Sequence, residues 1–220
     1  MVQKSKKASP PPRIDSPVEP KRRGRPRAYQ PDIALGKALD LFRKDGFAAT
    51  SLDDLSAATG MNRPSLYGAF GDKRDLYIKS LQRYREESRA AMRDALDPAL
   101  PLREVFRRVY ASALKLYLAG DSGPRGCFSV STAAPEALAD PEIRAMVSDG
   151  IREADKASGR RIRLARERGE PTGNAAPEAL AQLATAAIHT LAVRARAGVP
   201  RAELEAIAAH AIDMICGPVE

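Results

Sequence analysis

Residues 50–76 read TSLDDLSAATGMNRPSLYGAFGDKRDL, and the punctuation of this stretch decides the fold. Thr50 or Ser51 can cap a short helix over Leu52–Thr59, with Asp53 and Asp54 in its first turn at the positive end of the dipole. Gly60 stops that helix and Met61 anchors the turn. Asn62 can cap the next helix, which carries Arg63, Pro64, Ser65, Leu66, Tyr67, Gly68, Ala69 and Phe70. Leu55, Met61 and Leu66 fall where two short helices close on a tight turn, the arrangement of a helix-turn-helix. The alternative is an ordinary helical hairpin inside a bundle. Its second helix would need a broad apolar face, whereas this one opens Asn-Arg-Pro-Ser and lasts about two turns.

Working outward, Pro31 suits a helix start, and Ile33, Ala34, Ala38, Leu41 and Phe42 recur at helical spacing through Lys44. Asp45-Gly46 ends that helix and Phe47 packs back under it. Downstream, Asp72 caps a fourth helix, with Asp75 three residues on reaching back to it.

The segment closely resembles the DNA-binding domain of TetR-type transcriptional regulators. The resemblance runs through residues 31–80, and its most specific part is Leu66-Tyr67-x-x-Phe70-x-x-Lys73. Gly68 stands where the family often has a histidine or another large side chain, and Ser56 where alanine is usual. The resemblance implies that Asn62, Arg63, Pro64 and Ser65 open the recognition helix, the end that meets base edges in this motif class. Arg63 is the candidate for a bidentate bond to guanine. Tyr67, Lys73 and the backbone amides at Thr50, Ser51 and Leu52 are candidate phosphate contacts. The side chains of Leu52, Leu55, Leu66 and Phe70 are assigned to the core.

The charge lies upstream of this segment. Residues 1–30 hold nine cations against two anions, residues 31–76 six against seven, and the remaining 144 residues twenty-one against nineteen. Seven of the eight excess positive charges therefore belong to the first thirty residues, which also carry six prolines and no helical period. Such a tail is expected to be disordered in free solution. Arg22, Arg23, Arg25 and Arg27 suit phosphate neutralisation and insertion into a narrow minor groove. A solubilising leader is the other reading of the tail.

Beyond residue 76 the chain reads as helices without any alternating strand pattern. They span about residues 73–97, Pro101–Leu118, a short interrupted piece at Cys127–Leu138, Glu142–Gly169, Ala176–Ala197 and Arg201–Cys216. An all-α chain of about nine helices is expected. Its divisions are a basic arm (1–30), a helix-turn-helix domain (31–76) and a helical body (77–220), to which the resemblance assigns effector binding and dimerisation. The alanine-rich last two helices suggest a four-helix interface with a second copy through Ala184, Ile188, Leu191, Ala208 and Ile212; two buried helices of a monomeric bundle are the alternative.

Tyr84, Phe106, Tyr110, Cys127, Phe128 and His189 are candidates for walling an effector cavity, and equally for plain core. Cys127, beside Arg125 and Gly126 at a helix start, is either a packed thiol or a reactive one. The Gly126-Cys127 pair and the Ala192-Val193-Arg194-Ala195-Arg196-Ala197-Gly198 ending both resemble one branch of the family.

Two cysteines cannot form a four-ligand zinc site by themselves and two histidines leave little material for a histidine-centred one, so no metal or cofactor is expected. No phosphate-cradling glycine loop, paired apolar carboxylates or nucleophile–histidine spacing supports an enzyme. No apolar run is long enough to span a membrane, and the first thirty residues lack a secretory signal, so a cytoplasmic location is expected. The expected partners are double-stranded operator DNA, a second copy of the chain and an unknown small-molecule effector. The expected function is a DNA-binding regulator, more readily a repressor, released by that effector. The alternatives are a thiol-based sensor acting through Cys127 and a DNA binder that senses nothing.

Overall fold

A computed structural model describes residues 31–119, 123 and 125–217. The expected basic arm, with Arg22, Arg23, Arg25 and Arg27, lies outside the described residues. Among the described residues the chain forms nine α-helices and no strand: α1 Pro31–Ala49, α2 Leu52–Thr59, α3 Arg63–Phe70, α4 Lys73–Ala95, α5 Leu102–Leu118, α6 Ala134–Glu136, α7 Pro141–Glu167, α8 Pro177–Arg196 and α9 Arg201–Cys216. A π-helical turn, Ser129–Ala133, leads into α6 and accounts for the interrupted piece expected there.

The first four helices form because their ends are written locally. In α1 the backbone leaves helical conformation at Gly46 (φ 82°, ψ 175°), where the stop is expected, and a last turn runs on to Ala49. Ser51, not Thr50, caps α2. Its hydroxyl accepts the Asp54 amide at 3.1 Å, and the Asp54 carboxylate accepts the Ser51 amide at 2.9 Å. The Ser51 hydroxyl, donating to the Asp54 carboxylate at 2.6 Å, and then the Ser51 amide hold that carboxyl below its usual range. Thr50 is buried, and its hydroxyl donates to the Gly46 carbonyl at 2.6 Å, closing the exit of α1. Asp72 and Asp75 cap α4 reciprocally, as their spacing predicts.

Phe42, Leu55, Leu66 and Leu76 close a small core under α1–α4. An edge-to-face aromatic series continues it into the body. Tyr77 of α4 meets Phe42 at 5.0 Å and Phe47 at 5.1 Å, then Phe128 at 5.1 Å, and Phe128 meets Tyr84 at 5.8 Å. In the body α8 packs against α5, α7 and α9. The boundary expected at residues 76 and 77 therefore falls inside α4, which belongs to both parts. No helix among the described residues is long and apolar enough to cross a membrane.

Candidate nucleic-acid interface and an internal cavity

Asn62 caps α3, its side-chain oxygen accepting the Ser65 amide at 2.9 Å, and Pro64 sits in the first turn. The inner face of α3, Leu66 and Phe70, is buried, while Asn62, Arg63, Pro64, Tyr67 and Gly68 are exposed; Ser65 is half-buried. Tyr67 keeps 47% of its surface. The helix is thus anchored on one side and open on the other, the condition for entering a groove.

Arg63 is not idle on that surface. Its guanidinium forms two bonds to Asp53 of α2, Nε–Oδ1 at 3.0 Å and Nη2–Oδ2 at 2.6 Å, with both side chains largely exposed. The pair locks α2 to α3 across the turn, and an exposed pair of this kind exchanges partners at little cost. Lys73 places its ammonium 4.4 Å from the centre of the Phe47 ring, at the rim of the same surface.

Two expected phosphate donors are already engaged within the chain: the Thr50 amide donates to the Phe47 carbonyl at 3.4 Å and the Ser51 amide to Asp54 at 2.9 Å. Leu52, the first residue of α2, remains as an amide without a helical acceptor. Lys79, which sequence reasoning missed, donates to the Phe70 carbonyl at 2.9 Å and closes the end of α3. Only its nine-residue separation from Phe70 hinted at this, and that separation has no meaning until α3 and α4 are docked.

Behind this head a cavity of about 1060 Å³ opens between α4, α5, α7 and α8. Of the six residues expected around it, Tyr84, Cys127 and His189 line it. Phe106, Tyr110 and Phe128 do not: all three are enclosed in the core, Phe128 by the aromatic series described above. Tyr117, Met92, Leu116 and Ile188 are wall residues that sequence reasoning missed as such. Tyr84 Oη donates to Cys127 Sγ at 3.2 Å. Burial, with that thiol beside them, pushes the Tyr84 and Tyr117 phenols well above their usual pKa, so both remain protonated donors. Burial also lowers the pKa of His189, partly offset by Asp155, which favours the neutral ring.

The two family-like stretches of the body meet at the exit of α1. Arg196 donates to the carbonyls of Arg43 at 2.8 Å, Lys44 at 3.0 Å and Arg125 at 3.1 Å. Arg43, buried, donates to the carbonyls of Gly126 at 3.1 Å and Leu116 at 3.2 Å and lies 5.5 Å from the Tyr84 ring centre. Gly126 holds φ 65°, and a Cβ there would fall 2.9 Å from the Ala192 carbonyl oxygen. Only glycine lets the loop lie this close to α8.

The residues expected at a dimer interface are placed elsewhere. Ala184 and Leu191 are fully enclosed within one chain, Ala208 and Ile212 nearly so, and Ile188 faces the cavity. The faces left open on α8 and α9 carry Ala179, Ala186 and Val193, and Ala206, Ala209 and Met214. The error has a simple source: an alanine-rich helix reads as apolar on every side, and only packing shows which side its own chain covers.

The profile of the family described as "Bacterial regulatory proteins, tetR family" matches residues 34–79. The chain is 31% identical to the TetR family transcriptional regulator CifR, solved as a cysteine mutant complexed with a 26-base-pair double-strand operator DNA. That match covers 87% of this chain and all of the other, with a TM-score of 0.76. It is 26% identical over 150 residues to YezE of Bacillus subtilis, an uncharacterized HTH-type transcriptional regulator, covering 68% of this chain and 77% of that one. It is 36% identical over 111 residues to the HTH-type transcriptional repressor ComR of Escherichia coli, covering 50% of this chain; the match spans about half of ComR, 53%.

Proposed function

Because the chain belongs to the TetR family of bacterial transcriptional regulators, which are not enzymes, we propose that it is a repressor that binds a palindromic operator as a homodimer and leaves it when a small molecule fills the cavity. Residues 31–76 are the DNA-reading part and residues 77–220 the sensing and dimerising part. The observation that carries this reading is α3, capped and buried on one side and open along Asn62, Arg63, Pro64 and Tyr67 on the other. The operator complex of CifR and the repressor name of ComR support it.

Arg63 reads a base edge after leaving Asp53, while Ser65 follows it into the groove. Tyr67, Lys73 and the Leu52 amide hold phosphates, and Arg22, Arg23, Arg25 and Arg27 add charge from the arm. The dimer forms through the open faces of α8 and α9 around Val193 and Met214, which sets two α3 helices about one duplex turn apart. A ligand between α4 and α7 displaces α4, and with it the head, so affinity for operator falls by the differential binding of the ligand to the two states.

Selection of duplexes from a random pool by the full chain, followed by sedimentation of the complex, tests this. An inverted repeat bound by an even number of chains is expected; a monomer on an asymmetric site would overturn the dimeric reading. Removal of residues 1–27 is expected to lower affinity and flatten its salt dependence.

One observation favours a second reading of the sensor: Cys127 Sγ stands in the cavity wall with a phenol donating to it. In that case an electrophile entering the cavity alkylates the thiol and releases DNA. A Cys127→Ser protein that still leaves DNA on exposure to electrophile removes this version.

A further inference from the structure

The wall of the cavity is apolar in the main, with Met92, Leu96, Val109, Leu116, Val147 and Ile188 among its side chains, yet its charged members are unbalanced. Six are cationic, Arg85, Arg89, Arg93, Lys115, Arg160 and Arg161, against the two carboxylates Glu87 and Glu153. Both carboxylates are already engaged. Glu87 accepts from Arg83, and Glu153 accepts from Arg89 at 2.7 Å, with Arg85 at 3.5 Å.

These bonds also fix the register of the two helices. Arg74 of α4 binds Asp140 and Glu142 at the start of α7, and Arg89 binds Glu153, so α4 and α7 run in the same direction along the cavity. Arg93 lies one turn beyond Arg89, and Arg160 about two turns beyond Glu153, at the end of the cavity away from the head. Neither has an ion-pair partner among the described residues.

Behind them stands Arg161, with 3% of its side chain exposed. Its Nη2 serves the Leu100 carbonyl and, at 3.4 Å, Glu170, while Nε and Nη1 have no acceptor among the described residues. A guanidinium held in an apolar wall with two unpartnered donors is costly, and its field reaches further there than in water.

We propose that the ligand of this cavity is an amphipathic anion, with an apolar body against α5 and α8 and a carboxylate or equivalent acidic group between Arg93 and Arg160. The assignment rests on the reading of the cavity as the effector site. A neutral molecule of the same shape leaves that end unpaired, and a cation is repelled by it. The anion bridges α4 to α7 where no ion pair among the described residues does so.

The test uses the full chain with the amphipathic sulfonate 1-anilinonaphthalene-8-sulfonate as fluorescent reporter. Dodecanoate, dodecanol and dodecyltrimethylammonium compete with it, each below its micelle-forming concentration. Dodecanoate is expected to displace the reporter with an affinity about tenfold above dodecanol, and the ammonium to compete weakest. In the Arg93→Gln/Arg160→Gln double variant, whose side chains are exposed and leave the core intact, the preference for dodecanoate over dodecanol disappears while dodecanol binding persists. Equal affinities for the three probes in the wild type, no displacement by any of them, or an undiminished preference in the double variant would overturn the proposal. Operator release is read in parallel: release by dodecanol as readily as by dodecanoate refutes the anion and keeps the effector reading, and tight dodecanoate binding without release does the reverse.

Discussion

Where α1 leaves the DNA-reading part of this regulator, two arginines bind backbone and a third, Arg125, pairs with Asp40; where α4 faces α7, the arginines bind carboxylates alone. At the first seam Arg43 and Arg196 donate to carbonyls of Leu116, Gly126, Arg43, Lys44 and Arg125, and Arg43 is buried under the Tyr84 ring. At the second, Arg74 and Arg89 reach across to Asp140, Glu142 and Glu153 through side chains about half in solvent, Asp140 being the more covered at 16%. A carbonyl cannot yield without moving a helix end or a loop, whereas an exposed carboxylate trades its partner for water or ligand at small cost. The difference assigns the roles. In the proposed release from DNA, the α1 exit serves as the fixed pivot and the α4–α7 gap as the side that opens.

Breaking the pivot carries the largest expected effect. Arg43→Met leaves two carbonyls without their donor in a packed region, and denaturant unfolding should show a loss of about 3 kcal/mol. Gly126→Ala forces a positive φ on alanine and a contact with the Ala192 carbonyl, for a loss of about 2 kcal/mol in the same measurement. Arg89→Gln at the second seam should cost less than about 1 kcal/mol, and less still at high salt. If Arg89→Gln cost as much as Arg43→Met, the contrast between the seams would fail.

The smallest effect is one of pH. The Arg74 guanidinium lowers the Asp140 carboxyl from the usual 3.8 to about 2. A carboxyl with a depressed folded value contributes stability above its unfolded pKa and loses it as pH falls through the folded one, so this link weakens between about pH 4 and about pH 2. Carboxyl chemical shifts should put the Asp140 midpoint near 2, and Arg74→Gln should raise it toward 3.8.

Legibility in the sequence followed the range of the forces involved. The head was readable because its determinants are local: Ser51 and Asp54, Asn62 and Ser65, Asp72 and Asp75 each fix a helix end within three residues. The body's helices were readable for the same reason, but their faces were not. Phe106, Tyr110 and Phe128 have the composition of cavity walls and went into the core, while Ala184 and Leu191 were covered by their own chain. Arg85, Arg89 and Arg93 recur at one-turn spacing in the sequence, a stripe that signifies nothing until α7 faces it. Arg196 was legible only as part of a family-like stretch; its three carbonyl acceptors come from two distant segments.

Both seams serve one helix, and its reading of DNA is tested most directly through Arg63. The measurement is the affinity of the wild type and of Arg63→Ala for the selected operator and for the same duplex with one contacted G·C pair reversed. The wild type should lose about 10- to 100-fold on the altered duplex, and Arg63→Ala should bind both duplexes alike with its unfolding midpoint within experimental error of the wild type. An Arg63→Ala protein that still prefers the original duplex for every G·C pair so reversed would contradict the account.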